Sequence, residues 1–570
     1  MRVDQKAEGP RQSMSWLHTW ASLILGWLLY AIFVTGTLSF FQNEISTWMK
    51  PETHQSIPAQ SQVQQMQVAL NYLQKNHPDA GSWNIQLPNS RQTTTEVTIR
   101  AVGEDPKARR GGTRITLDSA TGEVIKPRDT RGGGFLYRFH FELYGLPRLW
   151  TRWLVGIATM FMLVAIVSGI ITHKKIFKDF FTFRSGKGQR SWLDAHNATA
   201  VFALPFHLMI TFSGLLLLMF MFMPWGINQA YENRQQFLRD QQASMIEQPQ
   251  KAEDVPREGE RAARGERGQQ RGEHAQGRGE ERPPQPELRP APLTDLAPIM
   301  AAVQQQWKDN PIASINIISP NTDQAKIELR ALRAESVAHR NVYATLNYNG
   351  VTGQDETDKN IRIKNPSIPS GIYNVVTVLH EARGLDLALR WLLFCSGILG
   401  TLMVATGLIL WCVKRAPQQQ KQGYKSFGFR LVEVLNIAAI IGLPLACAAY
   451  FYANRFIPAD VEMRLNWEIR SFFTVWLLTL IYAIFRTHRQ AWLDLLLLAT
   501  LAFALLPVVN LMTGGQALWN SVGQGQWMIA SVDLAMWVMA VIFYFAYDKV
   551  KKHQGLPNKK VKVPVQEAEA

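Results

Sequence analysis

The chain has 570 residues, 60 Lys and Arg against 45 Asp and Glu, a formal net charge of +15 and a mean hydropathy of −0.08. Apolar stretches of bilayer-spanning length alternate with very polar segments, which excludes a uniformly soluble globular chain. The basic excess divides between short loops beside the apolar runs and one Arg-rich stretch, so it implies no nucleic-acid partner.

The first apolar run, Leu17 to Phe41, is too long for the apolar region of a cleaved signal, and no small-residue cleavage site follows it. It reads as an uncleaved first span. Further spans are expected near 153–172, 198–223, 390–412, 431–453, 470–486, 491–511 and 527–547. The fold class expected is a membrane all-α helical bundle of about eight transmembrane helices with two small α+β modules outside. Lys and Arg mark every alternate loop: Arg2, Lys6 and Arg11, then Lys174 to Arg190, Lys414 to Arg430, Arg486 with Arg489, and Lys549 to Lys560. That pattern sets both termini on the cytoplasmic side and two long segments outside, as in a bacterial inner membrane, with lipid as the surrounding partner. Eighteen Trp residues suit headgroup anchoring. Cys395, Cys412 and Cys447 all lie in apolar runs without metal-ligand spacing, and the outer segments have no cysteine to form disulfides.

The expected organisation is an N-terminus with the first span (1–44), an outer module (45–150), spans two and three (151–228) and a disordered linker (229–291). A second outer module (292–380), span four (381–415), a bundle of spans five to eight (416–548) and a tail (549–570) follow. The first module opens with a helical stretch, Val63 to Lys75. Extended pieces follow at Glu96 to Arg100 and Arg114 to Leu117, then a turn, Asp118-Ser-Ala-Thr-Gly122. The second repeats the plan: Leu296 to Trp307 helical, extended pieces at Ile315 to Ile318, Lys326 to Leu329 and Val342 to Tyr348, then Asn349-Gly350-Val-Thr-Gly353. The linker is rich in Arg, Glu, Gln, Gly and Pro and poor in apolar residues.

A weak repeat joins the first four spans. His18 and Gly36 recur eighteen residues apart as His196 and Gly214; His140, Arg152 and Gly169 recur as His380, Arg390 and Gly407. Of twelve histidines, six cluster at span borders or within spans. His18, His173 and His196 fall at cytoplasmic ends, His140 and His380 at the outer side, and His207 inside span three on nearly the face of His196. Imidazoles grouped at both faces of a bundle suit axial ligation of two haems stacked across the membrane. The glycines at matched positions would let a flat macrocycle approach the backbone, and Arg152 and Arg390 are placed to pair with propionates. The blander readings stay open. Border histidines also serve as interfacial polar groups, His207 as a helix–helix hydrogen bonder, the glycines as packing positions and the arginines as anchors beside Trp. No dinucleotide, phosphate-loop, H-E-x-x-H or C-x-x-C motif occurs, so no nucleotide or flavin site is visible and a separate electron donor is required.

The segments His18-Thr-Trp20 with Thr35-Gly36, Phe139-His140-Phe-Glu-Leu143, Asp194-Ala-His196 with Ser213-Gly214, and Leu379-His380-Glu381 with Thr406-Gly407 resemble the PepSY-associated transmembrane family. That family includes iron-regulated inner-membrane proteins and haem-containing ferric-siderophore reductases. The two Thr-Gly turns look like the end of its PepSY module. The resemblance covers about 1–415 and implies a four-span core holding haem b, two per chain. It further implies outward electron flow to a ferric siderophore in the periplasm. The separate donor expected for such a protein is a cytoplasmic reductase or quinol, and spans five to eight are open to docking a donor, binding quinol or only enlarging the bundle. Carried over, His140 and His380 serve the outer haem and His18, His173 or His196 the inner. Two other functions are open at this stage. One is a regulatory protein whose outer modules hold a partner. The other is a transporter for an iron chelate, for which Asn436 and Asn510 are the sparse mid-span polar groups, though they read more readily as helix-packing hydrogen bonds than as a path.

Overall fold

The structure is a computed structural model and describes residues 9–58, 61–108, 111–173, 176–179, 183–232, 234–247 and 288–553. The chain begins with α1 (Pro10–Ser39), α2 (Gln42–Trp48) and α3 (Gln62–Asn76). Strands β1 (Ser82–Gln86), β2 (Thr95–Arg100), β3 (Thr113–Leu117) and β4 (Val124–Ile125) come next, before α4 (Gly133–Glu142) and α5 (Arg148–Thr172). Then come α6 (Gln189–Phe202), α7 (Leu204–Leu217), α8 (Leu296–Trp307), β5 (Ile312–Ile318), β6 (Lys326–Ala331), β7 (Thr345–Asn349), α9 (Ile368–Glu381) and α10 (Leu387–Gln422). Four further helices close the chain: α11 (Phe427–Phe456), α12 (Arg464–Phe485), α13 (His488–Met512) and α14 (Trp527–Lys552).

Seven of these, α1, α5 and α10 to α14, are long and apolar enough to cross a membrane, and α6 with α7 makes an eighth if counted as one bent span. The expected straight third span is instead broken by 67° between α6 and α7. Pro205 is the cause. It lacks an N–H and its ring clashes with the carbonyl four residues back, so the helix cannot run through Ala203. His196 and His207 therefore stand on two differently directed helices, not on one continuous face.

A proline is handled differently in α11. Pro444 follows a π turn, Ala438–Gly442, and the carbonyls this frees are taken up by neighbours. Tyr30 donates to the Ile440 carbonyl at 3.2 Å and Trp476 to the Ala438 carbonyl at 2.8 Å. The helix stays continuous and is the most deeply enclosed of the spans.

The two outer modules are one body. Their strands form a single antiparallel sheet in the order β4-β3-β2-β1-β5-β6-β7. The seam is β1 against β5, with Asn84 opposite Asn316 at its centre and Ser82 and Gln86 opposite Ile318 and Ser314. Such a register is self-complementary, as in a symmetric dimer. It removes two strand edges that separate modules would expose. α3 and α8 cover one face, and Met66, Leu73, Met300 and Val303 bury Trp83, Ile85, Ile315 and Ile317 in one shared core. The expected extended pieces are present; β1 is an addition. The two Thr-Gly turns match bond for bond. Gly122 N–H donates to the Asp118 carbonyl at 2.9 Å and Gly353 N–H to the Asn349 carbonyl at 3.0 Å, each glycine at positive φ.

The linker is ordered at its start. Arg234–Ala243 is helical, and Ile246–Glu247 pairs with Arg362–Ile363. Phe237 packs against Phe220 and Tyr231 there, the apolar contact that a disordered segment lacks. Residues 248–287 of the expected linker and 554–570 of the expected tail lie outside the described residues.

A shared core makes the sheet cooperative across its seam. Trp83→Ala is expected to destabilise it by about 3–5 kcal/mol and to expose both the 61–125 and the 292–350 segments to limited proteolysis together. Cleavage confined to the first segment would contradict a common core.

Candidate functional site

The four-span core is built from two like units. In the first, α1 packs on α5 and α4 lies across α1; in the second, α10 packs on α6 and α9 lies across α7. Each unit presents two histidines, and each histidine is seated on a glycine of its own unit. A Cβ on Gly36 would stand 2.6 Å from the His140 ring, on Gly169 3.2 Å from His18, on Gly214 3.4 Å from His380 and on Gly407 3.1 Å from His196.

The seats share one hydrogen-bond logic. His18 Nδ1 donates to the Ala165 carbonyl at 2.9 Å, His140 Nδ1 to Ile32 at 2.8 Å and His196 Nδ1 to Met403 at 2.9 Å. Each acceptor lies four residues before the glycine. His380 Nδ1 meets Ser213 Oγ at 2.7 Å, with the Ile210 carbonyl, four residues before Gly214, beside it. In a helix the side chain at one position covers the turn before it. A glycine leaves that turn open, and an imidazole can reach the carbonyl. The glycines therefore seat the imidazoles.

A carbonyl only accepts, so these contacts put the proton on Nδ1 and leave the Nε2 lone pair as the free donor to a metal. Across the pseudo-symmetric interface the rings then meet in pairs. His140 and His380 stand with ring centroids 6.1 Å apart at the end of the bundle nearest the sheet. His18 and His196 stand 6.2 Å apart at the far end. A ligand imidazole whose second nitrogen is anchored to a backbone carbonyl is the usual arrangement in metal sites. The structure thus brings together four of the six expected histidines.

The other two stand apart. His173 caps the end of α5, and its Nε2 lies 3.0 Å from Asn197 Nδ2, which donates to it. His207 is buried on α7 against Phe33, and its Nε2 has no hydrogen-bond partner. Its counterpart in the first unit is Leu29, so this histidine breaks the repeat. Arg152 forms an ion pair with Glu142, and Arg390 one with Glu44 at 2.7 Å. Each guanidinium keeps a buried Nε without a partner.

The family model described as PepSY-associated TM region matches residues 15–414. The chain belongs to the PepSY-associated TM family. No curated protein matches it. The family match takes in both histidine-bearing units and the sheet between them, and it stops before α11. The four helices α11 to α14 lie beyond the matched residues.

Those helices carry buried polar groups that bond across helices. Asp533 accepts from Trp48 Nε1 at 2.7 Å and from Asn510 Nδ2 at 3.1 Å. Asn454 donates to Glu468 at 2.8 Å, Arg464 pairs with the same carboxylate, and Thr130 donates to it at 2.7 Å. Asn436 accepts from Trp27 Nε1 at 2.9 Å and donates to the Leu408 carbonyl at 3.1 Å. Asn436 and Asn510 are thus engaged in helix contacts, the packing role expected of them. These bonds hold α2 and the 128–133 segment against α11, α12 and α14, and so fix α4 and His140 in place.

His54 lies at this junction, 1 % exposed. Its Nδ1 accepts from the Gln516 N–H at 3.2 Å and its Nε2 donates to the Thr47 carbonyl at 3.0 Å, so the neutral ring alone satisfies both. Burial, with the Arg455 charge added, pushes its pKa down from 6.5 to about 3. The unfolded chain therefore takes up this proton below pH 6.5 while the folded chain does not until about pH 3, and stability is lost as pH falls through that window. The thermal midpoint is expected to fall between pH 7.5 and 5 in the native protein and to fall less steeply in His54→Asn. Identical slopes would contradict this.

Proposed function

We propose that the chain is an inner-membrane haem-dependent oxidoreductase that passes electrons across the bilayer to a ferric siderophore on the side of the sheet. One observation carries the reading: two facing imidazole pairs at opposite ends of one bundle, each with Nε2 unengaged. Two metal–imidazole bonds of about 2 Å, plus about 1 Å from each nitrogen to its ring centre, separate two axial ligands' centroids by about 6 Å. The pairs stand at 6.1 and 6.2 Å. Each pair offers two ligands. A haem brings the other four donors itself.

His140 with His380, and His18 with His196, are the ligands this reading assigns. Haem bound there supplies a one-electron Fe(III)/Fe(II) couple in the bilayer. The chain's part is to fix tautomer and ring orientation through the four anchored Nδ1 groups, which hold the half-buried rings in place. The partner-free Nε atoms of Arg152 and Arg390 suit propionates at the sheet end. A ferric chelate is a fitting acceptor: hard oxygen donors hold Fe(II) much less tightly than Fe(III), so reduction releases the metal. The basic loops lie opposite the sheet, which supports cytoplasmic termini and a periplasmic sheet.

Replacing His140 or His380 with Ala is expected to halve the haem bound per chain, as is replacing His18 or His196, while His173→Ala keeps the full complement. Gly36→Val acts through the His140 seat and is expected to behave as His140→Ala. Ferric siderophore added to the dithionite-reduced native protein is expected to reoxidise it. Full haem content in all four single histidine variants would defeat the assignment.

A further inference from the structure

A groove of roughly 350 Å³ opens on the flank of the bundle between α12 and the end of α4, lined by Tyr144, Asn466, Ile469, Arg470, Phe473 and Thr474. That volume lies at the low end of small-ligand sites and admits a single ring system. Three features describe its occupant. The Tyr144 and Phe473 rings are stacked, centroids 5.6 Å apart and 24° from parallel, and make a flat aromatic wall. Arg470, Asn466 and Thr474 bring hydrogen-bonding groups to the same space. The groove also opens onto a lipid stripe: Arg470 and Thr474 share the exposed face of α12 with Leu477, Leu478 and Ile481, which follow directly. Asn466 to Thr474 covers about 12 Å of helix, beginning just after Arg464, which bonds the Asp129 carbonyl at the end of the bundle nearest the sheet. A flat polar ring at headgroup depth with an apolar tail running toward the bilayer centre is the chemistry of a quinone-headed lipid.

The groove also adjoins the redox-competent pair. Phe473 meets the Phe139 ring at 5.9 Å between centroids, and His140 is the next residue after Phe139. We infer that this groove binds membrane quinol, a benzoquinol or naphthoquinol with an isoprenoid tail, as an electron donor to the centre held by His140 and His380. The inference rests on the haem reading and names a donor for it. The quinol gives up two electrons and two protons and becomes quinone. The electrons pass one at a time through the single centre at this histidine pair, and each ends on one ferric chelate, so one quinol reduces two Fe(III) chelates to Fe(II). The protons leave to water at the groove mouth. Arg470 binds and orients a ring oxygen, and Tyr144 supports the ring face. The far pair, His18 with His196, remains the entry for any donor on the opposite side.

The test uses the full-length protein purified in detergent and decyl-ubiquinol, mixed anaerobically while the haem α band is followed. Reduction by the quinol is expected in the native protein and at least about tenfold slower in Arg470→Leu and Tyr144→Leu, the loss of one charge-assisted hydrogen bond or one ring contact. Dithionite end points and oxidised spectra stay unchanged. Equal rates in native and variant proteins, or no reduction by quinol where dithionite succeeds, overturns the site. A second readout needs no haem: photolabelling with an azido-quinone is expected to mark the 466–474 peptide and to be lost in Arg470→Leu. A colourless protein that still labels there would remove the haem reading and keep the quinone site. A haem-bearing protein without that label would remove the site alone. Label displaced equally by plain phosphatidylglycerol shows an ordinary headgroup contact and overturns the proposal.

Discussion

A helix carbonyl uncovered by a glycine, with an imidazole N–H seated on it, is the contact on which the bundle depends. A buried imidazole N–H without an acceptor costs about 1–3 kcal/mol, and four must be satisfied at once in a region where water cannot help. Each seat takes a glycine four residues beyond its carbonyl and a second helix close enough to deliver the ring. The seat also decides the chemistry. By holding the proton on Nδ1 it leaves Nε2 as the one nitrogen free to bind a metal.

The rest of the fold brings those seats into register. Two like units face one another so that their histidines pair at both ends. The same pseudo-symmetry recurs outside the bundle, where β1 and β5 pair antiparallel about Asn84 and Asn316. α4 and α9 are the helices that carry His140 and His380. α11 to α14 fix one side of this arrangement through buried polar bonds to Trp48, Arg128 and Thr130. That connection gives the additional helices a structural role whatever else they bind.

Much of the site was legible because its parts are local. Span-length apolar runs, histidines at their ends, Ser or Thr before each matched glycine, and the two Thr-Gly turns all show in short windows. What escaped was what depends on a distant segment. No local pattern tells His18 to meet His196 and not His173; that follows from α10, which packs against both α1 and α6. Edge strands β1 and β5 look alike to sequence whether paired with each other or separate. The bend at Ala203 was signalled by Pro205, yet in α11 Pro444 produces no such break, because Tyr30 and Trp476 take up the carbonyls around it. His54 resembled a loop histidine until Gln516 and Thr47 closed on it.

The most direct measurement is the visible spectrum of the native protein purified in mild detergent, oxidised and then reduced, with a pyridine haemochrome assay for stoichiometry. The account predicts a Soret band that shifts on reduction, sharp α and β bands of six-coordinate b-type haem, and about two haems per chain. A colourless protein from haem-replete cells would contradict it and leave the paired imidazoles as hydrogen-bonded struts between helices.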